Sequence, residues 1–230
     1  MKKTIIALAV IALVAPLAFG QEVLSRNAVG YVKIDFRKGL NLVTHQFDIM
    51  VGDRGVSNLF PIADFPSGTI IQRWDYVNQV YASSETKVTF PSTRWSPGTN
   101  TFEIGESMWV RIPSGASSNS YVSYLMGEVP VASKSTPLGG LTFSGVGYPV
   151  AVSISGLNSS LSYPLKSGDI VQKWDATVTN YVQETYVTFP SVRWNPGTMT
   201  INPGEGIIIR RTGSTSQTNW VQNKPYTWPE

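Results

Sequence analysis

The sequence predicts an all-β protein built from two homologous antiparallel units, sandwich-like or barrel-like, arranged in tandem. Three observations carry that prediction. Val88 to Thr99 reads VTFPSTRWSPGT and Val187 to Thr198 reads VTFPSVRWNPGT, so ten of twelve positions are identical at an offset of 99. No useful length of the chain shows helical periodicity; short alternating runs recur about every ten residues instead. The 20 glycines and 15 prolines punctuate those runs, as turns between short strands require. Pairing of the two copies about a pseudo-two-fold axis is expected, because it would hide strand edges that a single copy leaves open.

Residues 1–20 read as a secretory leader. Lys2 and Lys3 precede the apolar run Thr4 to Leu17, and Ala18-Phe19-Gly20 places small residues where a signal peptidase needs them, with the cut expected after Gly20. The run is shorter than the ~20 residues a helical membrane span takes. The remainder divides into unit 1 at 21–130 and unit 2 at 131–230, with the Ser/Asn-rich loop Ser114 to Ser120 and the region Val131 to Gly140 near the junction.

In chain order, Ala28 to Phe36 alternates as a strand and Gly39 to Val43 follows as the next. A helical turn is expected at Val56 to Phe60. Gly68 to Asp75 (GTIIQRWD) matches Gly168 to Asp175 (GDIVQKWD) at an offset of 100. The alternation sets Ile70, Gln72 and Trp74 on one face, and makes Trp74 and Trp174 core residues. Asp75 and Asp175 then open tight hairpins, where a carboxylate caps loop amides. Val88 and Phe90 alternate around Thr89, as Val187 and Phe189 do around Thr188, and Pro91 and Pro190 stop the pairing. Ser96-Pro97-Gly98-Thr99 and Asn195-Pro196-Gly197-Thr198 suit type II turns. The last matched block is Phe102 to Arg111 against Ile201 to Arg210. Ile207 to Ile209 has no polar alternation, so that strand is expected to be covered on both faces.

The order GxxIxxWD, a Tyr, RWxPGT, then PGEG before an apolar strand resembles a broad family of exported bacterial repeat proteins that carry WD…PGEG units, often paired behind a signal peptide. The resemblance spans most of both copies. Copy two follows it with Pro203-Gly204-Glu205-Gly206, while copy one departs with Ile104-Gly105-Glu106-Ser107. It implies secretion and a β fold, and brings no catalytic residues with it.

Composition excludes several classes of function. Removing Lys2 and Lys3 from the 18 basic residues leaves 16 against 15 acidic ones, without a Lys/Arg cluster, so nucleic acid is not an expected partner. The chain has no cysteine, which rules out thiol chemistry, disulfides and cysteine-based metal sites. His45 is the single histidine, stands opposite Val146 in copy two, and is expected as a surface or partly buried strand residue. No cofactor motif is present, and no catalytic, cofactor-binding or metal residue is assigned.

The recurring acids Asp75/Asp175, Glu85/Glu184 and Glu106/Glu205 fit the pair of carboxylates that cleaves a glycosidic bond, but turn-capping accounts for them more simply. Arg94/Arg193 and Arg111/Arg210 are expected to cover a tryptophan or to pair with Glu106 and Glu205. Trp95 and Trp194 are expected in or at the edge of a repeat core; they also sit just before a loop turn, where exposure is easier and the rings could stack on sugars, so Arg94, Trp95, Arg193 and Trp194 are the candidate ligand-binding set. The functional expectation is an exported, non-enzymatic structural or adhesive protein of the cell envelope or exterior. Its expected partners are itself or a cell-surface polysaccharide, with no membrane span in the mature chain. A carbohydrate-binding protein is the alternative.

Overall fold

Alternation and turn residues build short antiparallel strands throughout. The computed structural model describes residues 28–50, 52–157, 165–213 and 217–226, and the predicted leader falls outside them. The strands are β1 (Val29–Arg37), β2 (Gly39–Thr44), β3 (Ile70–Asp75), β4 (Val80–Tyr81), β5 (Glu85–Val88), β6 (Arg94–Ser96), β7 (Ser107–Ile112) and β8 (Ser120–Glu128), followed by β9 (Lys134–Leu138), β10 (Leu141–Gly145), β11 (Val152–Ser153), β12 (Ile170–Asp175), β13 (Asn180–Val187), β14 (Arg193–Asn195), β15 (Thr200–Ile201), β16 (Gly206–Arg210) and β17 (Thr218–Gln222). Helical turns α1 (Val56–Leu59) and α2 (Ile154–Leu157) are the only α-helices among the described residues. The fold is all-β and sandwich-like.

Two sheets carry the main strands, in the orders β2-β7-β3-β5-β6 and β10-β16-β12-β13-β14, with β4 added to β3. Each sheet is accompanied by a two-stranded ribbon. One pairs β1 with β8 from Val29↔Glu128 to Arg37↔Ser120; the other pairs β9 with β17 from Lys134↔Gln222 to Leu138↔Thr218. The corner between β1 and β2 turns at Gly39, whose φ of 88° no β-branched residue would take readily. Asn41 closes that corner: its Oδ1 accepts from Arg37 N and its Nδ2 donates to Arg37 O, both at 2.8 Å.

Burial sorts into three clusters. The first draws on residues between Val32 and Val129, with Phe36, Phe60, Phe65, Ile71, Met108 and Leu125 among its members. The second draws on residues between Leu138 and Tyr226, including Tyr148, Val171, Ile201, Ile207 and Trp220. The third mixes the two halves of the chain: Leu42 and Trp109 meet Phe143 and Ile208, and Trp74, Leu141 and Trp174 pack around them. The strand Gly206–Arg210 is covered on both faces, as its apolar run predicts, because Ile207 and Ile209 enter the second cluster while Ile208 enters the third.

Two expectations change here. Trp74 and Trp174 are not buried in the core of their own sheet; they are half-buried in the seam between the sheets. Strand alternation identifies a covered face but not what covers it. His45 is completely buried and lies just past the end of β2, not on a strand at or partly below the surface. It follows β2 where the chain passes under the seam, and its carbonyl accepts from Gly105 N at 2.8 Å. The proline turns also differ in detail. Gly98 and Gly197 have the positive φ values a turn glycine supplies, 81° and 85°, but the Ser96–Pro97 and Asn195–Pro196 bonds are cis where a type II turn has them trans. The Phe90–Pro91 and Phe189–Pro190 bonds are cis as well.

The seam is held by matched polar contacts as well as by rings. Trp74 Nε1 donates to Leu141 O at 3.0 Å, and Trp174 Nε1 donates to Leu40 O at 2.7 Å. Trp74 stacks on Phe143 with centroids 5.5 Å apart, and Trp109 meets Trp174 edge-on at 5.7 Å. Thr44 N donates to Gly204 O and Gly145 N to Gly105 O, each at 2.9 Å. Gln46 spans the junction, donating through Nε2 to Val146 O and Tyr148 O and accepting from Gly204 N, all at 2.8 Å.

The two sides of the seam are unlike in side-chain volume where they come closest. Thr44 and Ser107 come from the first half; Gly145 and Gly206 face them from the second. A Cβ at Gly145 would overlap the Thr44 side chain, and one at Gly206 would sit 2.7 Å from Leu42 Cγ and 2.8 Å from Ser107 Oγ. Ser107 also donates to Ser144 O and bonds Thr44 Oγ1. The departure of copy one from PGEG thus has a packing reason: Ser107 fills the space that Gly206 leaves.

Gly145→Ala is expected to destabilise the protein by about 3 kcal/mol through overpacking, read by urea denaturation. Adding Thr44→Gly should recover at least about 1 kcal/mol as a coupling energy in a double-mutant cycle. Strictly additive losses would contradict this account of the seam.

Candidate functional site

The duplicated stretch forms a hairpin in each half: β5 with β6, and the end of β13 with β14. Trp95 lies on β6 and points inward. It is 3% exposed, packs edge-on against Phe65 at 5.8 Å and donates from Nε1 to Phe60 O at 3.1 Å. Trp194 is 4% exposed and packs edge-on against Tyr186 at 5.3 Å. Neither indole offers a face to solvent, so both take the core place expected of a duplicated tryptophan and neither can stack on a sugar ring. The reason lies in the hairpin itself: the three-residue strand alternates, so Arg94 and Arg193 point out and the tryptophan between them and the turn points in.

Arg94 and Arg193 are exposed and fold back on their own loops. Arg94 Nη1 donates to Ser92 O at 3.3 Å; Arg193 Nη1 donates to Ser191 Oγ at 2.9 Å. They do not pair with Glu106 and Glu205, and nor do the exposed Arg111 and Arg210. Those carboxylates are taken by neighbours on β3 and β12: Arg73 Nε lies 3.2 Å from Glu106 Oε1, and Lys173 Nζ 3.0 Å from Glu205 Oε2.

The recurring acids are occupied by backbone. Asp75 Oδ1 accepts from Val77 N at 2.9 Å and Asn78 N at 3.0 Å, and Asp175 Oδ1 accepts from Thr177 N at 2.8 Å. The turn amides, chiefly those of Asn78 and Thr177, hold both carboxyls below the ordinary aspartate range. Glu106 Oε2 accepts from Glu103 N at 2.9 Å, and Glu205 Oε2 from Asn202 N at 2.8 Å. Burial raises the Glu106 carboxyl above its ordinary value, against the opposing pull of the Glu103 amide and Arg73.

Glu85 and Glu184 are fully buried. Glu85 accepts from Gly98 N, from Thr99 N at 2.9 Å, and from Asn100 N and Nδ2 at 2.8 Å. Glu184 accepts from Gly197 N and, at 2.9 Å, from Thr198 N and Met199 N. A carboxylate is the only side chain with enough acceptor sites to satisfy the successive amides of a PGT loop. Each is therefore a clamp that fixes the loop to its hairpin.

One cleft of about 340 Å³ is lined by Asp48, Ile49, Gly52, Asp53, Arg54, Thr101 and Glu103. Its charges are mutually bound. Arg54 Nη2 lies 2.7 Å from Glu103 Oε2 and Nη1 3.5 Å from Asp48 Oδ1, Lys134 Nζ lies 3.5 Å from Asp48 Oδ2, and Asp53 Oδ1 accepts from Gly55 N at 3.0 Å. Copy two has Asn202 where copy one has Glu103, so the charged set is not repeated. No group of three or more metal-ligating side chains occurs among the described residues. His45 stays neutral at pH 7: burial lowers its pKa to about 4, against the opposing pull of the Phe47 backbone, and the nearby Arg54 charge adds to the lowering. Among the described residues its ring nitrogens make no hydrogen bond of good geometry, the Phe47 backbone approach included.

The residue that sequence reasoning missed is the phenylalanine of the motif. The strands end at Val88 and Val187, so Phe90 and Phe189 lie beyond them and stand 86% and 88% exposed. The signal was available: Pro91 and Pro190 directly follow, and a strand cannot be carried through that position. No protein-family model, no curated protein and no solved structure matches the chain.

Two predictions concern these buried groups. Glu85→Gln or Glu184→Gln turns an amide group toward backbone donors and should cost about 3 kcal/mol, measured by chemical denaturation. Because the folded pKa of His45 is depressed, the folded state takes up this proton later than the unfolded state does. Its contribution to stability is constant above pH 6.5, falls as pH drops from 6.5 to about 4, and totals about 3 kcal/mol. Glu106 opposes it, since a raised carboxyl favours the folded state as pH falls past its folded value. The difference curve between wild type and His45→Val isolates the histidine, and a flat difference across that window would refute the assignment.

Proposed function

We propose that the protein is an exported, non-enzymatic structural or adhesive component of the cell envelope or exterior, made of two homologous units docked about a pseudo-two-fold axis. The single observation that carries the reading is the fate of the duplicated acids. Glu85 and Glu184 are sealed on loop amides, Asp75 and Asp175 on turn amides, and Glu106 and Glu205 on an amide and a cation. The motifs repeated in the sequence serve the scaffold, and no pair of carboxylates among them is left for general acid and base work. The matched bonds across the seam, Trp74 to Leu141 and Trp174 to Leu40, support the two-fold relation. The resemblance to exported WD…PGEG repeat proteins supports the destination.

Carbohydrate binding is a second reading, supported by different residues from Trp95 and Trp194. On the outer face of the β1–β8 ribbon Tyr31 and Tyr124 are 69% and 42% exposed, with ring centroids 5.9 Å apart. Amphipathic rings on an open surface suit stacking on sugars.

Cell fractionation with N-terminal sequencing tests the first reading: the protein should be recovered with the envelope or medium, beginning at Gln21. Recovery of an unprocessed chain in the cytoplasm would contradict it. Retention on polysaccharide that is abolished in Tyr31→Ala/Tyr124→Ala, with unfolding unchanged, would favour the second.

A further inference from the structure

We propose that the two hairpin tips, residues 89–94 and 188–193, dock the protein onto an anionic lipid surface. The proposal rests on the reading of an exported envelope protein and names the partner that those tips meet.

The duplicated motif separates into residues with a task inside the fold and residues without one. Trp95 and Trp194 fill the cores, and the PGT amides are held by Glu85 and Glu184. Phe90 and Phe189 have no such task. They are the most exposed of the large apolar side chains described, and among the described residues neither enters an aromatic pair. Yet Phe-Pro is identical in the two copies, while the position two before each tryptophan has changed from Thr93 to Val192. Val192 is itself 66% exposed, so the tip of copy two has become more apolar. Exposed apolar side chains lower the solubility of a free protein, and their presence on both tips points to a surface that covers them.

Charge and shape select the partner. Neither VTFPSTR nor VTFPSVR contains an acidic residue, and each ends in an exposed arginine. Arg94 and Arg193 have no carboxylate within ion-pair distance among the described residues; they bond only loop oxygens at Ser92 and Ser191. A phenylalanine at a protruding loop end, flanked by hydroxyls and a guanidinium, matches the layered chemistry of a bilayer. The ring enters the acyl boundary, Ser and Thr lie among headgroups, and Arg binds phosphate. A sugar-binding platform is instead an open face with acceptors around it, and these tips carry no carboxylate.

The test is co-sedimentation of the chain, as recovered after export, with vesicles of phosphatidylcholine containing about 30 per cent phosphatidylglycerol. The wild type should bind these vesicles, bind neutral ones weakly, and release in high salt. Phe90→Ser/Phe189→Ser should lower the affinity at least about ten-fold with thermal unfolding unchanged, because each ring loses its apolar burial. Arg94→Gln and Arg193→Gln should each cost about five-fold and reduce the salt dependence. Phe90→Trp/Phe189→Trp, which keeps an aromatic ring suited to the interface, should bind at least as well as wild type.

Failure of the wild type to bind anionic vesicles overturns the proposal, as does equal binding by the double Phe→Ser variant. Retention on polysaccharide that depends on Phe90 and Phe189, without vesicle binding, also overturns it and reassigns the tips to a glycan. A correctly processed N-terminus with no vesicle binding would leave the export reading standing and remove only this one.

Discussion

The close approach of the two sheets at Thr44, Ser107, Gly145 and Gly206 is the constraint on which the rest depends. β2 and β10 are the terminal strands of their sheets, and a terminal strand leaves backbone donors and acceptors without partners. Each is covered by the other half of the chain. Val43 bridges to Glu205 and Ser144 to Glu106, while the amides of Thr44 and Gly145 reach Gly204 O and Gly105 O. Backbones can come this near only because glycine stands on one side wherever a hydroxyl residue stands on the other. That complementarity brings Trp74, Trp109 and Trp174 around Leu42, Phe143 and Ile208, forming an apolar patch that neither sheet could leave exposed.

Away from the seam, the hairpins depend on buried carboxylates. Burying a charge is unfavourable unless hydrogen bonds replace its lost hydration. Glu85 and Glu184 meet that condition because the PGT loop presents successive N–H groups in one direction, and the clamp then fixes the tryptophan of each hairpin in its core. The functional consequence follows from this division of labour. Side chains that look chemically capable in the sequence are committed to the scaffold, and the surface retains aromatic and apolar groups at Tyr31, Tyr124, Phe90 and Phe189 together with an exposed arginine at each tip, bonded to its own loop.

Local features were the legible part. Alternation located β1, β2, β3 and β12 to within two residues, and the Asp after Trp marked a capped turn because an Asx side chain reaches only its near neighbours. The helical turn expected at Val56 to Phe60 is present at Val56–Leu59. What depended on tertiary partners was not legible. Trp74 has the same alternation whether its face meets its own core or a second sheet. His45 is buried by a chain crossing to Gly105, sixty residues away in sequence. Glu106 was matched to the wrong cations because Arg73 and Lys173 approach it and Glu205 across a sheet, at no regular spacing. Trp95 takes the core place that a duplicated indole predicts, whereas Phe90 leaves its expected strand for a local reason that alternation alone hid: the strand breaks at Val88, and the register restarts after the loop.

Calorimetric unfolding of the protein is the most direct test of the seam as the organising interaction. A single transition whose calorimetric and van't Hoff enthalpies agree is the predicted result, because the halves share buried rings and reciprocal backbone bonds. Two resolved transitions, one for each sheet, would contradict it and make the contact between the halves incidental to the fold.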